Sequence, residues 1–395
     1  MKKAIAIVIS LFCIAFTVTT GVIKISHKIQ ENQPAKYIFL FIGDGMGHGQ
    51  ASLAESYLSY QEGTPGNSQL MFTTFPVFGT CFSYSASSLV TDSSAAGTAI
   101  ATGVKTTNGY LGVDPDGNPV YSFADDLKAK GYNIGIFSSV PVNHATPASF
   151  YGHNISRNGY YDISKDMIPA DYNFYGGSNF LQPTREGEPD TETYLEENGY
   201  KVAFGQAEFD EVKNSERVVL LAESRDKESG EKPMLLKDMT RNCIEFLGDK
   251  KPFFIMCEGG EIDYMAHIDL TMPTVEAIYR FDDAIKVAYE FYQKHPKQTL
   301  IVVTADHETG GVTLGAEPLS YAINWEPLEK QYEESNHKRL PFPENKALNE
   351  SCGIAWTTTH HTGAPVPIYA IGKGAEKFAG RINNTDISKK ILCAE

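Results

Sequence analysis

The chain reads as an α/β protein: a three-layer sandwich with a large, mostly parallel central sheet flanked by helices, plus peripheral insertions. Three observations predict it. Continuous apolar runs of strand length recur along the sequence, helical patterns lie between them, and acidic residues follow several of the runs directly. The first run is Tyr37–Ile42. Its lack of polar alternation fits a strand buried on both faces, as in a parallel sheet. Similar strands are predicted at Asn133–Phe137, Phe253–Cys257, Leu300–Thr304 and Ile368–Ile371, with helices at Tyr121–Lys130, Lys237–Phe246 and Thr274–Gln293. Strands alternating with helices argue for crossover connections. Residues 160–235 and 316–356 carry no chemical motif and read as peripheral insertions, the second a candidate to overhang a site.

The 395 residues allow one large α/β domain or two smaller ones, and 42% hydrophobic with 21% charged content is ordinary for a globular protein. The formal charge of -15, without a cluster of Lys and Arg, argues against a nucleic-acid-binding surface. At the N-terminus, Lys2 and Lys3 precede an apolar stretch from Ala4 to Phe16, with a weaker tail Thr17–Ile23. Residues 1–23 therefore read as a signal peptide or an N-terminal anchor, since a spanning helix needs about 20 apolar residues. Residues 24–35 form a polar tether. Either form of leader implies export, to a periplasmic or extracellular location, with a membrane tether if it is retained. Beyond the leader stand Cys81, Cys243, Cys257, Cys352 and Cys393. An odd number cannot all pair, and no Cys-x-x-Cys spacing points to a thiolate metal site.

The chemistry lies in separate short segments. Gly43-Asp44-Gly45-Met46-Gly47 follows the first strand. Its spacing does not suit a dinucleotide loop, and a carboxylate there would repel a pyrophosphate; a metal-bridging role suits it better. Asp44, Glu258 and Asp306 each sit just past an apolar run, at the sheet edge where open α/β sheets bind ligands. Acids gathered there repel one another unless cations neutralise them. Asp263 and His267 are four apart, so on a helix they share one face and suit zinc. Asp306-His307 and His361 add further donors. Thr146 offers a hydroxyl oxygen to a hard cation, and Arg157 a fork for phosphate oxygens. Ser93, in Thr91-Asp92-Ser93-Ser94-Ala95-Ala96, opens a small-residue helix, whose N-terminus and an adjacent cation would both stabilise its alkoxide.

With these segments in this order, the sequence from about Lys36 to the C-terminus resembles the zinc-dependent alkaline phosphatases. The likeness covers Gly-Asp-Gly-Met-Gly, Thr-Asp-Ser continuing to Asn108-Gly109, His-Ala-Thr-Pro at 144–147 with Arg157, the block Glu258–His267, Thr-Ala-Asp-His at 304–307, and His-Thr-Gly at 361–363. The resemblance implies one catalytic domain over 36–395 that hydrolyses small phosphate monoesters through a phosphoserine on Ser93. It implies one zinc on Asp263, His267 and His361, and a second on Asp44, Asp306, His307 and the Ser93 oxygen. Magnesium would sit with Asp44, Thr146 and Glu258, and Arg157 would grip the phosphate. Asp92, His144 and Tyr264 would neighbour these groups. Some relatives carry an aspartate where this chain has His144 and a cation where it has Tyr264, so the third site is open to zinc as well. A homodimer is also implied. The rival readings are a related enzyme acting on phosphodiesters, sulfate esters or phosphonates, and a non-enzymatic binding protein on the same fold.

Overall fold

The computed structural model describes residues 33–393 apart from 65, 67, 226–231, 317–320 and 337–339. The expected leader and almost all of the tether lie outside the described residues. No helix among the described residues is long and apolar enough to cross a membrane.

In chain order the strands are β1 (Tyr37–Gly43), β2 (Val77–Phe82), β3 (Asn133–Ser138), β4 (Phe174–Gly177), β5 (Lys201–Phe204), β6 (Val218–Leu221) and β7 (Phe253–Gly259). They continue as β8 (Thr299–Thr304), β9 (Glu308–Thr309), β10 (Val312–Leu314), β11 (Ile354–Trp356), β12 (His361–Thr362), β13 (Val366–Gly372) and β14 (Gly380–Asn383). Ten of them form one sheet in the order β14-β2-β13-β8-β1-β7-β3-β4-β6-β5. β13 runs antiparallel to both neighbours and every other pairing is parallel. The two short pairs β10-β11 and β9-β12 stand apart from the sheet.

The central strands β1, β7 and β8 are buried at every position, as their largely apolar sequences require, with Glu258 near the end of β7 the one charged residue among them. Two groups of helices cover them. Leu236–Leu247 and Thr271–Lys294 pack together on one face; Ser93–Thr102, Phe123–Ala129, Ala145–Ala148 and Asp386–Leu392 form the other group. The result is the three-layer α/β sandwich. The stretch 160–235 is not a separate appendage. It supplies β4, β5 and β6, which extend the sheet at its far end. The stretch 316–356 contributes the helices Glu326–Glu334 and Phe342–Ser351 and the strand β11.

The helix Ser93–Thr102 positions the site. It is buried over nearly its whole length, which its run of Ser, Ala, Gly and Thr allows. Gly97 is the contact point: a Cβ there would lie 2.5 Å from Ser149 Oγ and 3.4 Å from Thr146 Cα. The missing side chain lets this helix lie against Ala145–Ala148, which brings Ser93 and Thr146 to the same end of the sheet. Gly97→Ala should therefore lower stability by about 1–3 kcal/mol, despite the better helix propensity of alanine. Adding Ser149→Ala should recover part of that loss, read as the denaturant midpoint of each variant.

Candidate active site

β1 and its two neighbours set the acidic floor. The register pairs Ile42 with both Glu258 and Thr304, so Asp44 and Asp306 emerge level at the carboxyl edge, while Glu258, expected just past its strand, lies inside the end of β7, two residues below them. All three carboxylates and His307 are fully buried. The helix Glu261–Ala266 begins just beyond β7 and carries Asp263 over the same edge. His267 Nε2 stands 3.3 Å from Asp263 Oδ2 and 3.1 Å from His361 Nε2, and His361 Nε2 is 3.7 Å from Asp263 Oδ1. His307 Nε2 lies 3.2 Å from Asp44 Oδ1 and 3.3 Å from Asp306 Oδ2.

Each imidazole of this group is turned by a bond on its other nitrogen. His267 Nδ1 donates to Thr359 O at 2.7 Å and His361 Nδ1 to Thr91 O at 2.8 Å. His307 Nδ1 meets the hydroxyl of Thr309 at 3.2 Å. When the ring is neutral, each such bond leaves Nε2 as a lone pair facing the carboxylates, the arrangement that metal-binding histidines use.

Ser93 is the first residue of its helix, and its Oγ is 3.2 Å from His307 Nε2. Asp92 caps the helix by accepting from Ala95 N at 3.0 Å. Its other oxygen accepts from Ser94 Oγ at 2.7 Å, Gly109 N at 3.1 Å and Arg157 Nη1 at 3.1 Å. Burial alone would raise the Asp92 carboxyl; Arg157 and these hydrogen bonds outweigh it and hold the group below the usual range. Arg157 Nη2 reaches to 3.3 Å from His144 Nε2, and the ring of Tyr264 meets His144 edge-on at 5.7 Å. Ser93, Arg157, Thr146, His144 and Tyr264 thus fall around the same carboxylates that the sequence singles out.

The donors form three overlapping sets: Asp263, His307 and His361; Asp44, Asp306 and His307; Asp44, His144 and Glu258. The ligand atoms within each set lie within 4.8 Å of one another. His267 borders the first set through its contacts with Asp263 and His361. His144, expected as a neighbour, supplies a donor to the third. Both oxygens of Asp44, Asp306 Oδ2, Glu258 Oε1, Thr146 Oγ1 and His144 Nδ1 are buried without a hydrogen-bond partner. These are six of the ten such atoms among the described residues. Buried polar groups are normally paired, and each failure costs about 1–3 kcal/mol. A concentration of unpaired acceptors in one cradle fits divalent cations as the missing partners.

The Alkaline phosphatase family profile matches residues 35–176 and 219–395. The chain belongs to the alkaline phosphatase family. Alkaline phosphatase 4 of Bacillus subtilis is 33% identical over 92% of this chain and 89% of its own. The alkaline phosphatase from the Antarctic bacterium TAB5 superposes with a TM-score of 0.74 at 31% identity, over 91% of this chain and 98% of that one. A histidine-to-glutamate mutant of the TAB5 enzyme, with Mg bound in its M3 site, superposes at 0.73 with 29% identity and covers 91% and 97%. The protein is therefore a phosphatase, built on the fold that its strand pattern predicts. Residues 177–218, which hold β5, fall between the two matched segments.

Several contributors to the phosphatase site escape sequence reasoning. Ser138 donates its hydroxyl to Glu258 Oε2. Thr309 donates to Asp263 Oδ1 at 2.5 Å. Glu308, behind the site, accepts from Gln50, from Thr362 Oγ1 and from Gly311 N at 2.9 Å. Thr309 and Glu308 stand beside the recognisable Asp306-His307, and that adjacency is the only signal for them.

Burial drives the ionisation of the cradle. It raises Glu258 to about 7 against the pull of the Ser138 hydroxyl, with Asp306 and Asp263 adding to the rise. It raises Asp306 to about 6, helped by Asp263, and lifts Asp44 well above the carboxylate range, helped by Asp306, Asp263 and Glu258. Burial also lowers His307, His361 and His144 to about 4, so these rings are neutral at pH 7. The metal-free site consequently holds protons on its carboxylates at pH 6, and an incoming cation must displace them. Titrating a divalent cation into metal-free protein should release protons at pH 6 and fewer at pH 8, where Glu258 and Asp306 are already ionised. Calorimetry in buffers of different ionisation enthalpy measures the release.

Proposed function

We propose that the protein hydrolyses phosphate monoesters to an alcohol and inorganic phosphate, through a phosphoserine on Ser93, at a site for two zinc ions and one magnesium ion. The observation that carries this reading is Ser93 Oγ placed 3.2 Å from His307 Nε2, beside the unpartnered oxygens of Asp44 and Asp306. Asp263, His267 and His361 would hold one zinc; Asp44, Asp306, His307 and Ser93 Oγ the other. Asp44, Glu258 and Thr146 would hold the third ion. Bound there, the ions would supply charge stabilisation to the attacking and leaving oxygens of an in-line displacement.

The chain's own residues do the rest. Ser93 attacks from a helix N-terminus, where unpaired N–H groups favour an anionic oxygen. Attack forms the serine–phosphorus bond and breaks the ester bond, and the alcohol departs on the opposite side. Water then attacks phosphorus from that side and returns Ser93. Arg157, fixed by Asp92 through Nη1, presents its remaining N–H groups to the phosphoryl oxygens. A terminal phosphate offers more oxygens to this fork than a diester does, which favours monoesters over the phosphodiester alternative.

His144 bears on the third ion. An imidazole beside two carboxylates suits zinc better than an all-oxygen set does, so zinc competes with magnesium there. The TAB5 mutant with Mg bound in its M3 site, in which a carboxylate replaces a histidine, supports the same reasoning. The reading extends to an exported, periplasmic or extracellular homodimer, tethered to the membrane if its leader is retained.

Ser93→Ala should cut monoester turnover by roughly three orders of magnitude or more while the metal content stays normal. Loss of metal in that variant would make Ser93 a structural ligand instead. Acid quench of the native protein with substrate should trap phosphate on Ser93, seen by mass spectrometry. Chelation should abolish activity and zinc should restore it; activity in the stripped protein would end the reading. Metal analysis of the purified protein decides the third ion.

A further inference from the structure

The hydroxyl of Thr309 has two partners that belong to different donor sets. It donates its one proton to Asp263 Oδ1 at 2.5 Å, and its oxygen lies 3.2 Å from His307 Nδ1. With the proton committed to Asp263, the oxygen is left to accept from His307 Nδ1–H. That single group therefore turns the Asp263 carboxylate, so that Oδ2 faces His267, and fixes the His307 tautomer, so that Nε2 faces Ser93, Asp44 and Asp306.

The surroundings are built to hold this hydroxyl in place. Thr309 is fully buried, its N–H donates to Gly45 O at 3.1 Å, and its carbonyl accepts from the Gln50 amide. In the β9–β12 pair it lies directly opposite His361. Gly45, at φ +71°, leaves it room: a Cβ there would come within 2.9 Å of both Thr309 Oγ1 and Asp263 Oδ1. His267 and His361 are oriented by backbone carbonyls, which no substitution removes. Among these three histidines, His307 is oriented by a side chain, so its orientation can be tested by a point change.

We propose that Thr309 is a positioning residue shared by the two zinc sites, orienting a ligand of each through one hydroxyl. This rests on the two-zinc reading above. Thr309→Val keeps the shape and every backbone hydrogen bond but leaves Asp263 Oδ1 and His307 Nδ1 without their partner. Thr309→Ser keeps the hydroxyl and loses only a methyl group.

The test loads the full-length protein and both variants with zinc, then titrates each with a chromophoric chelator and counts the zinc retained per chain. Thr309→Val should lose both zinc ions at about 10- to 100-fold lower chelator strength than the native chain, and Thr309→Ser should stay within about threefold of native. Native-like retention in Thr309→Val overturns the proposal. So does a serine variant as weak as the valine variant, which would make methyl packing the cause. Weakening of one zinc alone overturns the shared role. A native chain that retains no zinc would instead overturn the two-zinc reading, and this inference with it.

Discussion

Mutual repulsion among buried carboxylates is the constraint on which the rest of this structure depends. Asp44, Glu258 and Asp306 leave three adjacent strands, which lie about 4.8 Å apart, and Asp263 arches over them from the next turn. In water such a cluster would be screened. Here burial removes the solvent, so each ionised group penalises the others, and the raised carboxyl groups record the conflict. Without a cation the acids can relieve this conflict only by taking up protons; a cation relieves it while they stay ionised. The apolar strands beneath are what make the conflict severe and therefore useful: they fix the acids in place and exclude water.

The imidazoles are disposed by the same logic. Burial lowers His307 and His361 and keeps them neutral, so they face the cradle as lone pairs. Asp263 differs from the other acids. Burial would raise it, but its hydrogen bond with His267 and the neighbouring His307 and His361 hold it below the usual carboxylate range. It is the one acid of the four that the imidazoles surround, and it ionises most readily. The cradle thus divides into an imidazole-rich end around Asp263 and a carboxylate-rich end around Asp44 and Glu258, a gradient from softer to harder donors.

How much of this is legible in the sequence depends on whether a residue's partners are local. The strands β1, β7 and β8 can be read because a strand buried on both faces must be largely apolar, and the acids stand at or just past their carboxyl ends. β2 and β14 cannot. β2 alternates between half-exposed and buried positions, and it carries Gly79, where a Cβ would strike the carbonyls of Phe378 and Gly380 on the approach to β14. Its pairing with β13 and β14 is a tertiary fact from nearly three hundred residues away. The stretch 160–235 looks like decoration because its strands are only four residues long and mixed with polar turns. The metal-facing residues are legible because their residue types are rare in such positions. Thr309 and Ser138 are not, because a hydroxyl is common and its meaning lies wholly in the partner it meets.

The place of Arg157 sharpens the electrostatic account. A protein of charge -15 must attract a phosphate dianion, and an unpaired arginine would be the simple means. Arg157 is not that: Nη1 is bound to Asp92, whose carboxylate also caps the Ser93 helix and accepts from Ser94 and Gly109. The pair is close to neutral overall, so it contributes little long-range attraction. On the proposed two-zinc, one-magnesium reading, attraction would come from the cradle, where three divalent ions against the four carboxylates would leave a surplus of positive charge. Arg157 then serves geometry. Because one carboxylate holds both the guanidinium and the helix that carries Ser93, the fork and the Ser93 hydroxyl share a reference point. Catalysis by charge placement needs that shared reference more than it needs another cation.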